Sequence, residues 1–142
     1  MTIPNIVVDT NVLIAGLRSK RGWAHRLLLL IGDGKFDISL SGPLLLEYEE
    51  VCKRDAAQLS LTAEEIDDIL DYLCRIAKLA TVYFQWRPKL VDPCDDMVLE
   101  LAVAGGSSVI VTFNSRHFVG VEEFGIRVCT PKEFLDTLGI GP

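Results

Sequence analysis

The sequence predicts an α/β protein, a three-layer α/β/α sandwich around a central, mainly parallel sheet. Short apolar runs rich in β-branched residues, such as residues 3–8 and 108–112, are typical of strands covered on both faces. Segments with helical spacing of apolar residues separate these runs. This alternation indicates βαβ units, which place their strands in a parallel sheet.

Residues that satisfy free backbone N–H groups mark the starts of two predicted helices. Ser41 can cap a helix with Pro43 in its first turn, where the missing N–H does no harm. Thr62 and Glu65 have the spacing of a capping box and open the longest predicted helix. The predicted strands span residues 3–8, 36–40, 81–84, 108–112 and 127–129, and the predicted helices span residues 22–31, the segment after 41, 62–79, 95–104 and 131–138.

Length and composition indicate one globular domain, since the chain has 142 residues of which 24% are charged. We expect this domain at residues 1–138, with a short frayed tail at 139–142. No apolar run approaches the roughly 18–20 residues of a membrane span, and the first residues lack the basic flank of a signal peptide. The four cysteines form no Cys-x-x-Cys pair, which argues against a zinc site or a disulfide framework. A cytoplasmic protein that does not enter a membrane is expected.

The formal net charge of the chain is −6. Proteins that bind nucleic acid by electrostatics alone are usually basic. A nucleic-acid role would therefore need local positive charge, bound cations or a partner protein. The charge argues against a simple DNA-binding module.

Polar residues follow two of the predicted strands directly. Asp9 interrupts the apolar run IVVDTNVLI after the first strand, and Thr112 and Asn114 follow the strand at residues 108–112. Ligands gather at the carboxyl ends of parallel strands, so these groups are expected at one edge of the sheet. A buried carboxylate without a partner is costly, so Asp9 is either a structural cap or a ligand that a positive charge meets.

Two further acids occupy helical positions. Glu47 shares a helix face with Leu44 and Val51, which turns its carboxylate toward the apolar side. It is either a boundary acid that reaches solvent or an arginine, or a member of the site. Asp95 begins a predicted helix on the same face as Leu99, where it is either an N-cap or a ligand.

Clustered carboxylates repel one another unless a cation neutralises them. The hard ions Mg²⁺ and Mn²⁺ select oxygen ligands of this kind. Such a site can activate water and hold a phosphate for in-line attack, with one metal or two. The chemistry predicts metal-assisted hydrolysis of phosphodiesters.

Four motifs occur in order along the chain. They are the strand ending in Asp9-Thr10-Asn11, the glutamate of LLLEYEEV, the segment DPCDDMVLELA at residues 92–102, and VTFN at residues 111–114. Together, over roughly residues 3–135, they resemble the PIN-domain ribonucleases. The resemblance is strongest to the bacterial branch of toxins from toxin–antitoxin pairs, the relatives of VapC.

The resemblance implies a Mg²⁺- or Mn²⁺-dependent endoribonuclease acting on single-stranded RNA, with a small antitoxin as protein partner. Asp9, Glu47 and Asp95 would bind the metal and be catalytic. Asp96 competes for the third position, because the spacing from the strand at residues 108–112 favours Asp96 whereas the helical face favours Asp95, which we prefer. Hydrogen bonds to ligands or to metal-bound water would come from Thr10, Asn11, Thr112 and Asn114.

The chain departs from the family at the last motif. Members often carry a fourth acid in or shortly after the Thr-x-Asn turn, where this chain has Asn114 and then His117. His117 either contacts a phosphate or packs beside Phe118, and packing is favoured. The departure leaves a second metal open, and it keeps an alternative function: a weak or inactive PIN-like module that binds RNA or a partner protein.

RNA binding would need positive charge near the site. Arg18, Lys20 and Arg21 follow the Asp9 segment, and Arg116 lies beside the turn at residues 112–114. They are either phosphate contacts or part of solvated loops. The resemblance also implies pairing into a homodimer, for which the helix at residues 62–79 offers apolar surface.

Two other aspartate-based families fit less well. Phosphatases of the haloacid dehalogenase type need a second aspartate two residues after the first, where this chain has Asn11. Response-regulator receivers need an aspartate at the end of the strand predicted at residues 81–84 and a lysine at the tip of the last strand. The chain has neither.

Overall fold

A five-stranded parallel sheet forms the centre of the molecule. The computed structural model describes residues 3–81 and 93–141, and the side chains at 93–96 lie outside this description. Every strand pairing within these ranges is parallel, and the spatial order is β3-β2-β1-β4-β5. The strands are β1 (Asn5–Val8), β2 (Asp37–Leu40), β3 (Lys78–Leu79), β4 (Val109–Val111) and β5 (Arg127–Cys129).

Helices cover both faces of this sheet. Strands β1, β2 and β3 follow one another toward one edge of the sheet, whereas β4 lies on the other side of β1. Because crossovers between parallel strands are right-handed, this change of direction places the helix before β4 on the face opposite to the earlier helices. This arrangement confirms the predicted α/β/α sandwich. The helices are α1 (Thr10–Arg18), α2 (Trp23–Leu30), α3 (Gly42–Arg54), α4 (Ala56–Leu59), α5 (Ala63–Ile76), α6 (Pro93–Ala104) and α7 (Pro131–Thr137), with 3₁₀ helices at Ser115–Phe118 and Val121–Phe124.

The central strand β1 is the most deeply buried part of the core. Ile6 and Val7 are fully buried, as a strand with parallel neighbours on both sides and helices on both faces requires. Val8 lies opposite Val111 of β4, and the backbone N–H of Asp9 donates to the Val111 carbonyl at 2.9 Å. The ladder therefore continues one residue beyond β1 and fixes the backbone of Asp9.

The predicted helix caps are confirmed. The Ser41 hydroxyl accepts a hydrogen bond from the Leu44 N–H at 3.2 Å and starts α3. The Thr62 hydroxyl accepts from the Glu65 N–H, and the Glu65 carboxylate accepts from the Thr62 N–H, which completes the capping box of α5. Helices α3 and α5 thus begin where the sequence indicates.

Helices α1 and α2 approach each other closely at a glycine. A Cβ atom on Gly16 would lie 2.5 Å from Leu28 Cδ1 and 3.0 Å from the Ala24 carbonyl oxygen. The His25 ring nitrogen Nδ1 lies 2.9 Å from the Gly16 carbonyl oxygen. The absence of a side chain at this position lets the two helices pack this tightly.

Helix α1 was not predicted, because the β-branched residues Val12 and Ile14 continue the strand-like apolar run. The chain turns into a helix at Thr10 because Asp9 caps it. The helix predicted at residues 62–79 ends at Ile76, and Lys78–Leu79 instead pairs with β2 as an edge strand. The predicted helix is therefore three residues too long at its C-terminal end.

Two other predictions concern less regular parts of the chain. The strand predicted at residues 81–84 lies outside the described residues except for Thr81, which has no regular structure. The tail was expected to fray, but Gly139 (φ 76°) donates to Asp136 and the Ile140 N–H donates to the Leu135 carbonyl. These bonds form a Schellman motif that orders residues 139 and 140 at the end of α7.

Helices occur in both described ranges, residues 3–81 and 93–141. None of the helices there is both long enough and apolar enough to cross a bilayer.

Candidate active site

Asp9 lies at the junction between β1 and α1. Its Oδ1 accepts the Thr10 N–H at 2.8 Å, which makes it the N-cap of α1, and the residue is only 7% exposed. One of the two readings of the sequence, the structural cap, is therefore confirmed. The cap uses Oδ1 and leaves Oδ2 to other hydrogen-bond donors.

A single buried hydroxyl organises the polar groups around Asp9. Thr112 follows β4 and is fully buried, and its Oγ1 donates to Asp9 Oδ2 at 2.7 Å. The same oxygen accepts from Asn11 Nδ2 at 3.3 Å and from the Asn114 N–H at 3.0 Å. One donor hydrogen and two accepted bonds exhaust what a hydroxyl group offers in tetrahedral geometry. The orientation of the Asp9 carboxylate is therefore set from β4.

The Asn11 carboxamide connects Asp9 to the turn after Thr112. Its Nδ2 donates to Asp9 Oδ2 at 3.3 Å, and its Oδ1 accepts the Phe113 N–H at 3.3 Å. The turn after β4 is consequently tied to the first turn of α1. The sequence predicted that Asp9, Thr112 and Asn114 meet at one edge of the sheet, and the structure places Asn11 with them.

Glu47 joins this group from α3. The Thr10 hydroxyl donates to Glu47 Oε2, so a residue directly beside Asp9 holds the second carboxylate. Glu47 is half-buried, as its position on the helix predicted. The Tyr48 hydroxyl, next along α3, donates to the carbonyl of Val8 and fastens the helix to the end of β1. The sequence analysis did not identify Tyr48. A buried tyrosine next to a candidate ligand could have indicated it, because a buried tyrosine hydroxyl usually forms a hydrogen bond.

The surroundings of Asp9 leave its negative charge incompletely compensated. Burial raises the pKa of Asp9, and the nearby Glu47 charge raises it further. The hydrogen bonds from Thr112 and Thr10 and the charge of His117 lower the pKa but do not cancel the effect of burial. The atoms of this group that could bind a metal are carboxylate, hydroxyl and amide oxygens, which suit Mg²⁺ or Mn²⁺ better than a soft metal. The residues present fit a hard divalent cation.

The two candidates for the third acid lie at the start of α6. Asp95 and Asp96 both lie in the first turn of α6, whose side chains at residues 93–96 are outside the description. The helical-face argument for Asp95 loses its force, since every residue from 98 to 102 is buried. Among the residues whose side chains are described, no group of three or more His, Cys, Asp or Glu residues could hold a metal. A third protein carboxylate would have to come from outside that set.

The predicted phosphate-contacting residues fall into two places. Arg18, Lys20 and Arg21 are exposed at the far end of α1, and eight residues at about 1.5 Å rise put Arg18 about 12 Å along the helix from Thr10. Arg116 is exposed in the 3₁₀ helix that directly follows Asn114. Arg116 is therefore the candidate nearest in sequence to the turn that contacts Asp9.

His117 differs from its predicted packing role. Phe118 is buried beneath the 3₁₀ helix, whereas His117 is exposed. Its charge lowers the pKa of Asp9, so it lies close enough to act on the site electrostatically. Successive residues of a tight helical turn point in different directions, which explains why only one of the two packs inward.

Comparison with known proteins identifies a family and solved structures with a similar fold. The family model described as "PIN domain" matches residues 5–116 of the chain. No curated protein gives a significant match. Among solved structures, the crystal structure of VapBC2 from Rickettsia felis bound to a DNA fragment from their promoter is similar, with a TM-score of 0.60. The alignment is 15% identical and covers 88% of this chain and 98% of that one, so the likeness establishes the fold.

Proposed function

Because the chain belongs to the PIN-domain family, we propose that it is a Mg²⁺- or Mn²⁺-dependent endoribonuclease that hydrolyses single-stranded RNA in the cytoplasm. PIN domains are generally nucleases, and the match covers residues 5–116. The RNA substrate and the metal requirement belong to the proposal. One observation carries it: the buried carboxylate of Asp9 stands beside Glu47 among oxygen donors at the carboxyl edge of the sheet.

The proposed roles of Asp9 and Glu47 are supported by their contacts, and that of the third acid by the sequence alone. Asp9 and Glu47 would hold the cation together with Asp95, or with Asp96 in its place. When bound, a divalent ion would neutralise the carboxylates, polarise the phosphate and lower the pKa of water. Thr112 orients Oδ2 of Asp9, and Thr10 holds the Glu47 carboxylate. These two hydroxyl groups limit the movement of the carboxylates that would hold the ion.

Cleavage of a labelled single-stranded RNA tests the proposal. Wild-type protein should cleave it with Mn²⁺ or Mg²⁺ and stop in chelator, while Asp9→Asn and Glu47→Gln should lose at least about 100-fold in rate, the range expected for a lost contribution of roughly 2.7 kcal/mol. Glu50→Gln is the matched control, because Glu50 lies on the same helix and is exposed. Cleavage that is equal in wild type and Asp9→Asn would refute the proposal.

The third ligand needs its own comparison. Asp95→Asn and Asp96→Asn should be assayed side by side for cleavage and for the rise in melting temperature that Mn²⁺ produces. The ligand's variant should lose both the cleavage and the metal-induced shift, because an ion that binds only the folded state stabilises it. The other variant should retain both.

We further propose that the protein is the toxin of a toxin–antitoxin pair. One solved structure with the same fold is that of VapBC2 bound to a DNA fragment from their promoter. A small antitoxin gene should lie next to the gene of this chain, and its product should copurify and relieve growth arrest caused by the wild type. Asp9→Asn should not arrest growth. Size-exclusion chromatography with light scattering tests the expected homodimer in the same preparation.

A catalytically weak PIN-like module remains the second candidate, and Asn114 is the observation that favours it. The Asn114 N–H donates to Thr112, so the residue stands where a further acid could have joined the group. Under this alternative, the protein binds RNA or a partner with Kd values that Asp9→Asn leaves unchanged. It also shows no metal-dependent cleavage.

A further inference from the structure

Phe113 is an exposed aromatic residue at the edge of the candidate active site. It lies in the turn after β4, between Thr112 and Asn114, and 48% of its surface is accessible. Phenylalanine is usually buried, so a half-exposed ring beside polar site residues invites an explanation. Neither the metal ligands nor the hydrogen bonds to Asp9 require a ring at this position.

The backbone that carries Phe113 is held in place from both sides. Its N–H donates to Asn11 Oδ1 at 3.3 Å, and the next N–H, that of Asn114, donates to Thr112 Oγ1 at 3.0 Å. Both acceptor side chains also contact Asp9 Oδ2. The backbone of Phe113 is therefore connected to the Asp9 carboxylate by hydrogen bonds through a single intervening side chain, that of Asn11.

We propose that Phe113 is the stacking platform for an unpaired nucleobase next to the phosphate that the site receives. The inference rests on the proposed ribonuclease function and adds a base subsite to it. Single-stranded RNA exposes the flat faces of its bases, and proteins bind these faces on aromatic side chains. A platform of this kind accepts every base. It therefore predicts a preference for single-stranded over double-stranded RNA, with little preference for sequence.

The charge near Phe113 favours RNA over an apolar protein surface as its ligand. Arg116 is exposed three residues further on and can meet a phosphate, while Asp9 and Glu47 need a cation before a phosphate can approach. A ring flanked by a phosphate contact and a metal-binding carboxylate pair matches the alternation of base and phosphate in a nucleotide chain. An apolar protein surface would have to cover these charged groups without solvating them.

The test measures binding of octaadenylate in a Ca²⁺ buffer, with gel analysis to verify that the oligonucleotide stays intact. Phe113→Ala should raise its Kd about 5- to 100-fold, the usual effect of losing one stacked base. Phe113→Trp should bind like wild type, and its indole emission should be quenched on binding. Phe113→Leu keeps apolar area without a flat π face and should bind like the alanine variant.

Two controls make the result specific to stacking. Tyr72→Ala removes an aromatic residue of similar exposure, 44%, on α5, and should leave the Kd unchanged. An octamer of abasic sites should bind wild type and Phe113→Ala equally, because it has no base to stack. The melting temperature of each variant is measured first, and exposure predicts only small changes.

The outcomes separate this inference from the function on which it rests. Wild-type cleavage of RNA together with unchanged Kd and KM in Phe113→Ala overturns the stacking platform and leaves the ribonuclease intact. Loss of metal-dependent cleavage in Asp9→Asn, with a higher KM but similar kcat in Phe113→Ala, supports both. Wild type that cleaves the labelled RNA but does not bind octaadenylate overturns the stacking platform alone, and wild type that neither binds octaadenylate nor cleaves the labelled RNA overturns both.

Discussion

Replacing Thr112 with valine isolates the hydroxyl group that organises the site. The two side chains have the same shape, so no cavity forms, and the residue is fully buried. The variant loses the 2.7 Å bond to the Asp9 carboxylate. A hydrogen bond to a charged group contributes about 1.5–3 kcal/mol to stability. We expect the free energy of unfolding to fall by about 2 kcal/mol, within this range. Asn11 and Asn114 also lose their acceptor, but both are half-buried, so water can take its place.

Urea unfolding in chelator at pH 7 measures this loss. A chain of this length should also melt about 8 °C lower, at roughly 4 °C per kcal/mol. Thr137→Val is the matched control, since Thr137 is exposed and its hydroxyl donates only within α7 to the Phe134 carbonyl. We expect the control to change the free energy of unfolding by no more than about 0.5 kcal/mol.

A double-mutant cycle with Asp9→Asn tests the cause. If the hydroxyl acts through the charge of Asp9, Thr112→Val should cost about 1 kcal/mol less in the Asp9→Asn background, because neutral hydrogen bonds are weaker. Equal costs in the two backgrounds, or a loss below about 0.5 kcal/mol in wild type, would refute the reasoning.

Three further predictions concern packing, pH dependence and thiol reactivity. Gly16→Ala should lower the free energy of unfolding by about 1–3 kcal/mol, since its methyl group would meet Leu28 and the Ala24 carbonyl; a higher melting temperature would contradict it. Burial raises the pKa of Asp9 above its ordinary 3.8, so ionisation of Asp9 destabilises the metal-free fold as the pH rises through that window. The urea midpoint of Asp9→Asn relative to wild type should therefore increase from about pH 4 to pH 7 in chelator, and a constant difference would exclude this cause. Burial also raises the pKa of Cys52 to about 11, so iodoacetamide at pH 8 should label Cys52 only after unfolding, as read by peptide mass spectrometry, and rapid native labelling would disagree.

The fold class could be predicted because the relevant signals are local. Apolar β-branched runs, helix spacing and caps depend on residues within a few positions of one another, and Ser41 and Thr62 cap helices as predicted. Local signals also explain the errors. The run around Val12 has strand-like composition, and only the cap formed by Asp9 turns it into α1.

The sequence predicted which of the described residues gather at the candidate site, but not which hydrogen bonds connect them. The strand-end rule placed Asp9 and Thr112 at one edge, and helix spacing turned Glu47 inward. Nothing local indicated that the Thr10 hydroxyl holds Glu47, 37 residues away, or that Asn11 reaches the backbone of the turn after β4. The choice between Asp95 and Asp96 stays a prediction, because helix burial does not distinguish the two.

The sequence by itself determined that carboxylates would gather at the carboxyl edge of a parallel sheet, since strand ends and helix faces are set by nearest neighbours. Only the tertiary structure decided how they are held. The bond between Asp9 and Thr112 joins residues 103 positions apart, and it exists because β1 and β4 are neighbours in the sheet order. Strand order and helix rotation are settled by packing of the whole core, and the hydrogen bonds that orient the candidate ligands follow from that packing.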